Sequence, residues 1–212
     1  MIQIQTIPVG ELEANCHIVS DGKGNAVLID PGADASELAY TLTSLRLKPL
    51  AMLLTHSHFD HFGAAAALMQ QFSLPLYVHE LDEPALHSVR ASGAQSCGFG
   101  DQFRDLAGDI RTFTDGETLS FSDELVFTVM HTPGHSPGGS CFLLGSDKIF
   151  TGDTLFRNAV GRIDLPGGNL QNMRESLRKL GALPGDRTVY CGHYENTTLE
   201  HERMFSPYLT KR

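Results

Sequence analysis

The stretch Thr55-His56-Ser57-His58-Phe59-Asp60-His61 places four side chains that can bind metal within six residues. It follows an apolar run at 50–54, which is typical of a central strand buried on both faces, and precedes an alanine-rich helical pattern. At such a strand-to-helix turn, the first two histidines can point to one side while the aspartate and the last histidine reach a neighbouring position, as two adjacent metal ions require. A chance cluster on a solvated loop is the alternative, but desolvated imidazoles beside a carboxylate favour divalent cations.

Three further candidates for metal binding follow later predicted strands. They are His135, Asp153 and His193, and each lies in a glycine-containing turn that can aim one side chain into a shared centre. Cys191 also lies close by, but a small buried residue at a strand end is its more ordinary role. The remaining histidines lack such a setting and are expected to be structural or exposed: His17, His79, His87, His131 and His201.

Alternating β-rich and helical runs predict one layered α/β domain over residues 1–212, with sheet packed on sheet and helices on the outer faces. In the first half we predict strands at 2–8, 16–20, 26–30, 50–54 and 76–79, and helices at 34–47, 63–72 and 80–89. A long loop is expected at 90–105. The second half is predicted to open with hairpins of strands at 110–113, 118–121, 125–131, 140–144 and 148–151, then a helix at 170–180, a strand at 188–191 and a helix at 199–205.

Composition excludes several classes of function. The 212 residues include 16 Lys and Arg against 25 Asp and Glu, so the net charge of −9 gives no general attraction for nucleic acid or for anionic membranes. No apolar run approaches the ~20 residues that span a bilayer, and the N-terminus has no signal-peptide pattern. The four cysteines form no C-x-x-C pair. We therefore expect a soluble cytoplasmic protein with reduced thiols and a small-molecule partner; the sequence leaves its oligomeric state open.

The chain resembles the metallo-β-lactamase-fold hydrolases. The T-H-x-H-x-D-H motif is complete at Thr55–His61, and the later His, Asp and His motifs follow in the family's order over essentially the whole chain. The resemblance implies a four-layer αββα sandwich. It also implies one metal on His56, His58 and His135, a second on Asp60, His61 and His193, and Asp153 between the two. Zinc is the expected metal, with iron and manganese as alternatives.

Within that family the chain is similar to the short bacterial glyoxalase II-like (hydroxyacylglutathione hydrolase-like) enzymes. The supporting stretches are His131–Gly138, Gly152–Phe156, Gly161–Gly168 and Thr197–Arg203. The chain departs from the pattern at Cys191 and Ser206, where relatives commonly have Pro and Asn. Full-length glyoxalase II enzymes also carry a C-terminal helical extension that helps hold glutathione, whereas 19 residues follow His193 here. The resemblance thus implies hydrolysis, while glutathione as the thiol stays open.

The expected reaction is the hydrolysis of a thioester such as S-D-lactoylglutathione. Two divalent ions lower the pKa of a bridging water and polarise the carbonyl, so a metal-bridging hydroxide attacks without a protein nucleophile. Asp60 is the expected catalytic residue, because a carboxylate beside that water can receive or orient its proton. Phe156, Arg162 and Tyr194 are candidate substrate contacts, although core packing is as good a role for Phe156 and a buried pair with Asp164 is favoured for Arg162.

Thr55 and Asp30 are expected to support the centre, with Asp30 accepting a hydrogen bond from a ligand imidazole. Other chemistries of the same fold remain alternatives. They are a mononuclear iron persulfide dioxygenase, a lactonase or nuclease, a flavodiiron-type reductase, and a metal-binding protein without catalysis. The complete ligand set, His58 where flavodiiron proteins have Glu, and the absence of a basic face in the sequence favour the dinuclear hydrolase.

Overall fold

The computed structural model describes residues 1–209, so the last three residues of the predicted 1–212 domain lie outside the described range. The first sheet contains six strands in chain order: β1 (Gln3–Val9), β2 (Ala14–Ser20), β3 (Asn25–Ile29), β4 (Lys48–Leu53), β5 (Leu76–His79) and β6 (Ile110–Phe113). The pairs from β1 to β3 are antiparallel, and those from β3 to β6 are parallel.

The second sheet also has six strands, and they occupy it in reverse chain order: β7 (Thr118–Ser120), β8 (Val126–His131), β9 (Ser140–Leu144), β10 (Lys148–Gly152), β11 (Thr188–Cys191) and β12 (Thr197–Thr198). Its one parallel pair joins β10 to β11. The α-helices are α1 (Ala35–Ser44), α2 (Phe59–Phe62), α3 (Ala65–Phe72), α4 (Leu170–Gly181) and α5 (Leu199–Phe205). None of the helices within residues 1–209 is long and apolar enough to cross a membrane.

Three buried apolar clusters separate four layers. The cluster between the sheets joins side chains such as Val27 and Leu53 to Phe127, Phe142 and Phe150 of the opposite sheet. A second cluster packs α1 and α3 against the outer face of the first sheet, and a third packs α4 and α5 against the second. Each sheet therefore buries both faces, and the expected αββα sandwich is confirmed.

Two local predictions were wrong. The strand at 110–113 forms, but it pairs in parallel with β5 at the edge of the first sheet and takes no part in a hairpin. Sequence alternation identifies a strand without identifying its partner, and the long connection at 80–109 lets the chain return to that edge. The predicted helix at 80–89 is reduced to a 3₁₀ turn, Glu83–His87, because Pro84 fits only the first turn of a helix and an extended Ser88 ends it.

The strand directions place the chemistry-bearing turns at one end of the sandwich. β3, β4 and β5 are parallel, so their carboxyl ends lie on the same side of the first sheet. The residues that follow these ends therefore lie close together: Asp30, Thr55–His61 and Asp82. On the second sheet His135 follows β8, Asp153 follows β10 and His193 follows β11. Contacts between these turns join the two sheets at this end.

Candidate metal centre

All seven predicted donors come together between the ends of the two sheets. The structure brings His56, His58 and His135 into one group whose donor atoms lie within 4.8 Å of one another, and Asp60, His61 and His193 into another. Nδ1 of His58 lies 2.7 Å from Nε2 of His135, and Nε2 of His61 lies 3.3 Å from Nε2 of His193.

Asp153 lies between the two groups. Its Oδ2 is 3.3 Å from His135 Nε2 and 3.7 Å from His193 Nε2, and its Oδ1 is 3.5 Å from His61 Nε2. One carboxylate thus faces histidines of both groups. This is the position that a ligand shared by two adjacent cations requires.

The outward nitrogens of four of these histidines already have partners. Nδ1 of His56 contacts the Thr55 hydroxyl at 3.0 Å, Nδ1 of His135 contacts the carbonyl of Arg162 at 2.7 Å, and Nδ1 of His193 contacts the carbonyl of Leu12 at 3.1 Å. Nδ1 of His61 contacts Asp30 at 3.0 Å. An imidazole that donates from Nδ1 presents an unprotonated Nε2, so these partners select the tautomer that binds a metal.

The atoms that face the shared volume include buried polar atoms without a hydrogen bond. They are His56 Nε2 and Asp153 Oδ1. His58 Nε2 is also buried without a hydrogen bond, but it lies on the side of the ring that faces Gly93, away from His135. Buried acceptors are normally satisfied, because leaving one unpaired costs about 1–3 kcal/mol. A cation between the rings satisfies the first two atoms, so the residues present fit a metal centre.

The electrostatics of the histidines agree with that fit. Burial lowers the pKa of His56 and His58 well below the usual value, and the neighbouring imidazoles lower it further; for His58 these effects outweigh Asp60, which acts to raise the pKa, so both rings are neutral. Burial also acts to lower the pKa of His61, but Asp60, Asp153 and Asp30 outweigh it and raise the pKa to about 10. A site that holds a proton this firmly attracts a divalent cation, which competes with that proton.

Asp30 is the anchor of the first ligand turn. Its Oδ1 accepts a hydrogen bond from the backbone N–H of Thr55 at 2.8 Å, and its Oδ2 accepts from the Thr55 hydroxyl at 2.6 Å and from His61 Nδ1. The side chain is 1% exposed. Asp30 therefore fixes both ends of the Thr55–His61 turn, and it accepts from a candidate ligand as expected.

A cavity of about 380 Å³ opens onto the centre. Its walls include Leu12, Phe156 and Tyr194 on the His193 side and Arg162 near His135. A second cavity of about 430 Å³ shares Leu12, Phe59 and Asp60 with it, so the combined cleft extends beyond the donors. The three predicted substrate contacts all line the first cavity.

The predicted burial of the Arg162–Asp164 pair was wrong. Nε of Arg162 bonds Oδ1 of Asp164 at 2.7 Å, but the two side chains are 56% and 65% exposed. Two residues of separation keep both on the same surface loop, where water screens the pair. Phe156 is buried.

Tyr194 has an unusual backbone. Its φ of 63° lies in the left-handed region, which is strained for a bulky residue, and its side chain is 77% exposed. The amide of Asn15 holds this conformation by donating to the carbonyls of Tyr194 and Cys191 at 2.9 and 3.0 Å. The sequence analysis did not identify Leu12 and Asn15, because neither belongs to a motif: Leu12 reaches the site from the β1–β2 turn and Asn15 from the start of β2.

Cys191 is buried in the apolar cluster beneath α4 and α5, and it belongs to none of the donor groups found within residues 1–209. The five histidines outside the motifs also lie outside those groups. His17 joins the sheets: Nδ1 contacts the Thr6 hydroxyl at 3.0 Å, and Nε2 contacts the carbonyl of Cys191 at 3.1 Å.

His17 makes stability depend on pH. Burial lowers its pKa to about 4, although Asp30 and the hydrogen bond to Cys191 oppose that shift. The unfolded chain takes up a proton below the ordinary pKa of ~6.5 while folded His17 stays neutral, so stability falls as the pH drops from about 6.5 to about 4, by at most ~3 kcal/mol. Urea unfolding of chelated wild type and His17→Gln at pH 7.5 and 5 measures the difference. Equal pH slopes in the two proteins would contradict this assignment.

Comparison with known protein families identifies the family of this chain. The model of the metallo-beta-lactamase superfamily matches residues 9–193. The chain belongs to the metallo-beta-lactamase superfamily. It is accordingly a metal-dependent hydrolase by class, and the Thr55–His61 turn, His135, Asp153 and His193 all fall inside the matched region.

Two relatives match this superfamily member over nearly all of their lengths. Hydroxyacylglutathione hydrolase GloC of Haemophilus influenzae is 35% identical, and the match covers 100% of each chain. The probable metallo-hydrolase YqgX of Bacillus subtilis is 33% identical, over 96% of this chain and 95% of the relative.

Three solved structures share the fold. The BLEG-1 B3 metallo-beta-lactamase superposes with a TM-score of 0.93 at 34% identity, covering 99% of this chain and 100% of its own. TTHA1623, in a di-iron-bound form, gives 0.86 at 38% identity, with coverage of 97% and 100%. ETHE1 of Myxococcus xanthus gives 0.78 at 27% identity, with coverage of 99% and 86%. These neighbours establish the fold of this chain and leave its substrate open.

Proposed function

We propose that this protein hydrolyses thioesters of small hydroxy acids, such as S-D-lactoylglutathione, at a dinuclear metal centre. His56, His58 and His135 would hold the first metal, and Asp60, His61 and His193 the second, with Asp153 shared. The observation that carries the proposal is the convergence of all seven donors, four of them with the outward nitrogen already bonded. The full-length match to GloC supports the thioester over other substrates of the fold.

The metal ions and Asp60 have separate roles in the proposed hydrolysis. Two divalent ions, when bound, supply an acidified water and a polarised carbonyl. Asp60 lies at the cleft with its Oδ2 3.4 Å from His193 Nε2, and it stays anionic: burial raises its pKa, but His61 and His193 lower it below the usual range. An ionised carboxylate at this position can orient the attacking water by accepting a hydrogen bond from it. Its lowered pKa makes it a weaker base, and the acidity that bound dications would give the water is what would let Asp60 accept the proton. No serine or cysteine nucleophile is needed.

The cleft supports a substrate with an acidic group and an extended thiol part. The Arg162 guanidinium is the cationic side chain on the wall of the first cavity, and Asp164 occupies its Nε and one Nη. We assign Arg162 to anionic groups of the substrate, and Tyr194 and Phe156 to its apolar part. The second cavity offers room for the thiol moiety. We expect no nucleic-acid or membrane partner, because the net charge is −9. A cytoplasmic location remains a prediction.

Metal analysis followed by a substrate panel tests the function. We expect two metals per chain, most readily zinc, with iron or manganese as the native alternatives. With S-D-lactoylglutathione the loaded protein should reach a kcat/KM of at least about 10⁴ M⁻¹s⁻¹. The chelated protein is the control. The panel includes a lactone and a β-lactam, because solved structures of this fold include a B3 metallo-beta-lactamase.

A mononuclear iron persulfide dioxygenase of the same fold is the second candidate, because a solved neighbour at 38% identity, TTHA1623, has an iron-bound form. That reaction consumes oxygen, whereas thioester hydrolysis does not. Loss of thioester hydrolysis on every substrate, together with oxygen uptake by the iron-loaded protein in the presence of glutathione persulfide, would replace the proposal with the dioxygenase.

Tyr194 offers a test of the substrate wall. In Tyr194→Gly the strain of the left-handed conformation is relieved, so the free energy of unfolding should rise by about 1 kcal/mol. The same change removes an exposed aromatic wall, so KM for S-D-lactoylglutathione should rise several-fold with little change in kcat. Urea unfolding and steady-state kinetics measure the two effects, and Tyr194→Phe separates the ring from its hydroxyl. An unaltered KM in Tyr194→Gly would remove Tyr194 from the substrate site.

A further inference from the structure

Asp82 is a buried carboxylate that none of the motifs includes. It follows β5 on the same sheet edge as the Thr55–His61 turn, and it is 1% exposed. It is not a member of the donor groups found within residues 1–209, so its role differs from that of Asp60 or Asp153.

The Asp82 carboxylate contacts two separate turns. Oδ2 accepts hydrogen bonds from the backbone N–H of Ser57 at 3.1 Å and from the Ser136 hydroxyl at 2.7 Å. Oδ1 accepts from the backbone N–H of Gly138 at 2.5 Å. The Ser57 hydroxyl adds a bond to the main-chain carbonyl of Asp82 at 2.8 Å.

These contacts adjoin all three histidines of one donor group. Ser57 stands between His56 and His58, and Ser136 follows His135. The first turn belongs to one sheet and the second turn to the other, so the carboxylate bridges the two sheets, beside a backbone hydrogen bond from the N–H of Ser140 to the carbonyl of Thr55 at 2.8 Å. The 2.7 Å approach of His58 Nδ1 to His135 Nε2 depends on the separation of these two turns.

Packing around Asp82 leaves little freedom. A Cβ added at Gly138 would lie 2.7 Å from the carboxyl carbon of Asp82, so only glycine lets the His135 turn come this close. All three groups that bond the carboxylate are uncharged donors, so the carboxylate acts solely as an acceptor. Burial raises the pKa of Asp82, and these bonds oppose that rise.

We propose that Asp82 is the positioning residue of the first metal site, holding the His56–His58 and His135 turns at the spacing that one cation needs. The inference rests on the proposed dinuclear centre, but it concerns metal affinity and is independent of the substrate. Residues that orient ligands in this way typically contribute about 10–100-fold to metal affinity.

Asp82→Asn is the decisive variant, because its amide NH₂ group cannot accept a hydrogen bond. In one orientation the NH₂ group faces the N–H of Ser57, and in the other it faces the N–H of Gly138. Zinc affinity is measured by chelator competition, with His135→Ala as the reference for loss at the first site and His193→Ala for loss at the second. Asp21→Asn is the matched control. Asp21 is equally buried and accepts from backbone N–H groups and the Ser122 hydroxyl, but it follows β2 at the opposite end of the sheets.

We expect Asp82→Asn to weaken one zinc about 10–100-fold with the profile of His135→Ala, while Asp21→Asn keeps both zinc affinities. Ser136→Ala removes one donor and should weaken the same zinc by a smaller factor, which keeps the test open if Asp82→Asn fails to fold. Unchanged zinc affinity in a folded Asp82→Asn protein, or equal weakening of both zincs, would overturn the inference. Wild type that binds two zincs but hydrolyses no thioester would overturn the proposed function alone.

Discussion

Asp60→Asn is expected to lower kcat for S-D-lactoylglutathione by about 10²–10⁴-fold, the usual contribution of a positioned general base. Asparagine has nearly the same shape, but its amide neither accepts a proton nor carries the charge that faces His61 and His193. The carboxylate it replaces is only 15% exposed and remains anionic because those histidines hold its pKa below the usual range. The first metal should stay bound, because its three histidines are untouched, and the second should bind more weakly.

Stopped-flow kinetics at saturating zinc, together with metal analysis and circular dichroism, measures these effects. Asp101→Asn is the control, because it removes an equal charge from an exposed position on the segment at 90–105 and should keep kcat within about two-fold. If Asp60→Asn retains more than a tenth of the wild-type kcat with both metals bound, the proton-accepting role belongs to another group.

Asp30→Asn is expected to lower the free energy of unfolding of the metal-free protein by about 2–4 kcal/mol. The buried carboxylate accepts three hydrogen bonds, two from Thr55 and one from His61, and an amide can accept only on its oxygen side. The His61 ring also loses the partner that sets its tautomer, so the second metal should bind about 10–100-fold more weakly.

Urea unfolding of the chelated protein and zinc competition test the two effects separately. Asp34→Asn is the matched control, because Asp34 has the same left-handed backbone (φ 55°, against 53° for Asp30) and accepts a single hydrogen bond, from Gly10, at an exposed position. We expect Asp34→Asn to cost less than about 1 kcal/mol. A loss in Asp30→Asn no larger than that of Asp34→Asn would show that Asp30 does not anchor the turn.

The sequence predicted the strand and helix positions well where local pattern decides them. β5, β11 and α5 have the predicted bounds, because apolar alternation and capping residues act over short distances. The pairing of β6 was wrong, because the partner of a strand depends on the path of the connecting chain. The helix predicted at 80–89 was wrong because one proline limits it.

The seven candidate ligands could be predicted because each is a metal-capable residue in a turn at the end of a strand. The residues that hold them could not all be predicted. Asn15, Leu12 and Asp82 act through an amide, a main-chain carbonyl and a buried carboxylate, and any of these occurs in ordinary structural roles. Their function depends on which turn folds against them.

The sequence by itself determined the family, the layered α/β class and the donor chemistry, because these follow from side-chain types and from their spacing along the chain. Only the tertiary structure decided which atoms of those donors face one another, that the Arg162–Asp164 pair is exposed, and that Asp82 joins two ligand turns. The reason is geometric: a metal centre built from two sheets needs residues more than a hundred positions apart within a few ångströms, and packing of the sheets sets that distance.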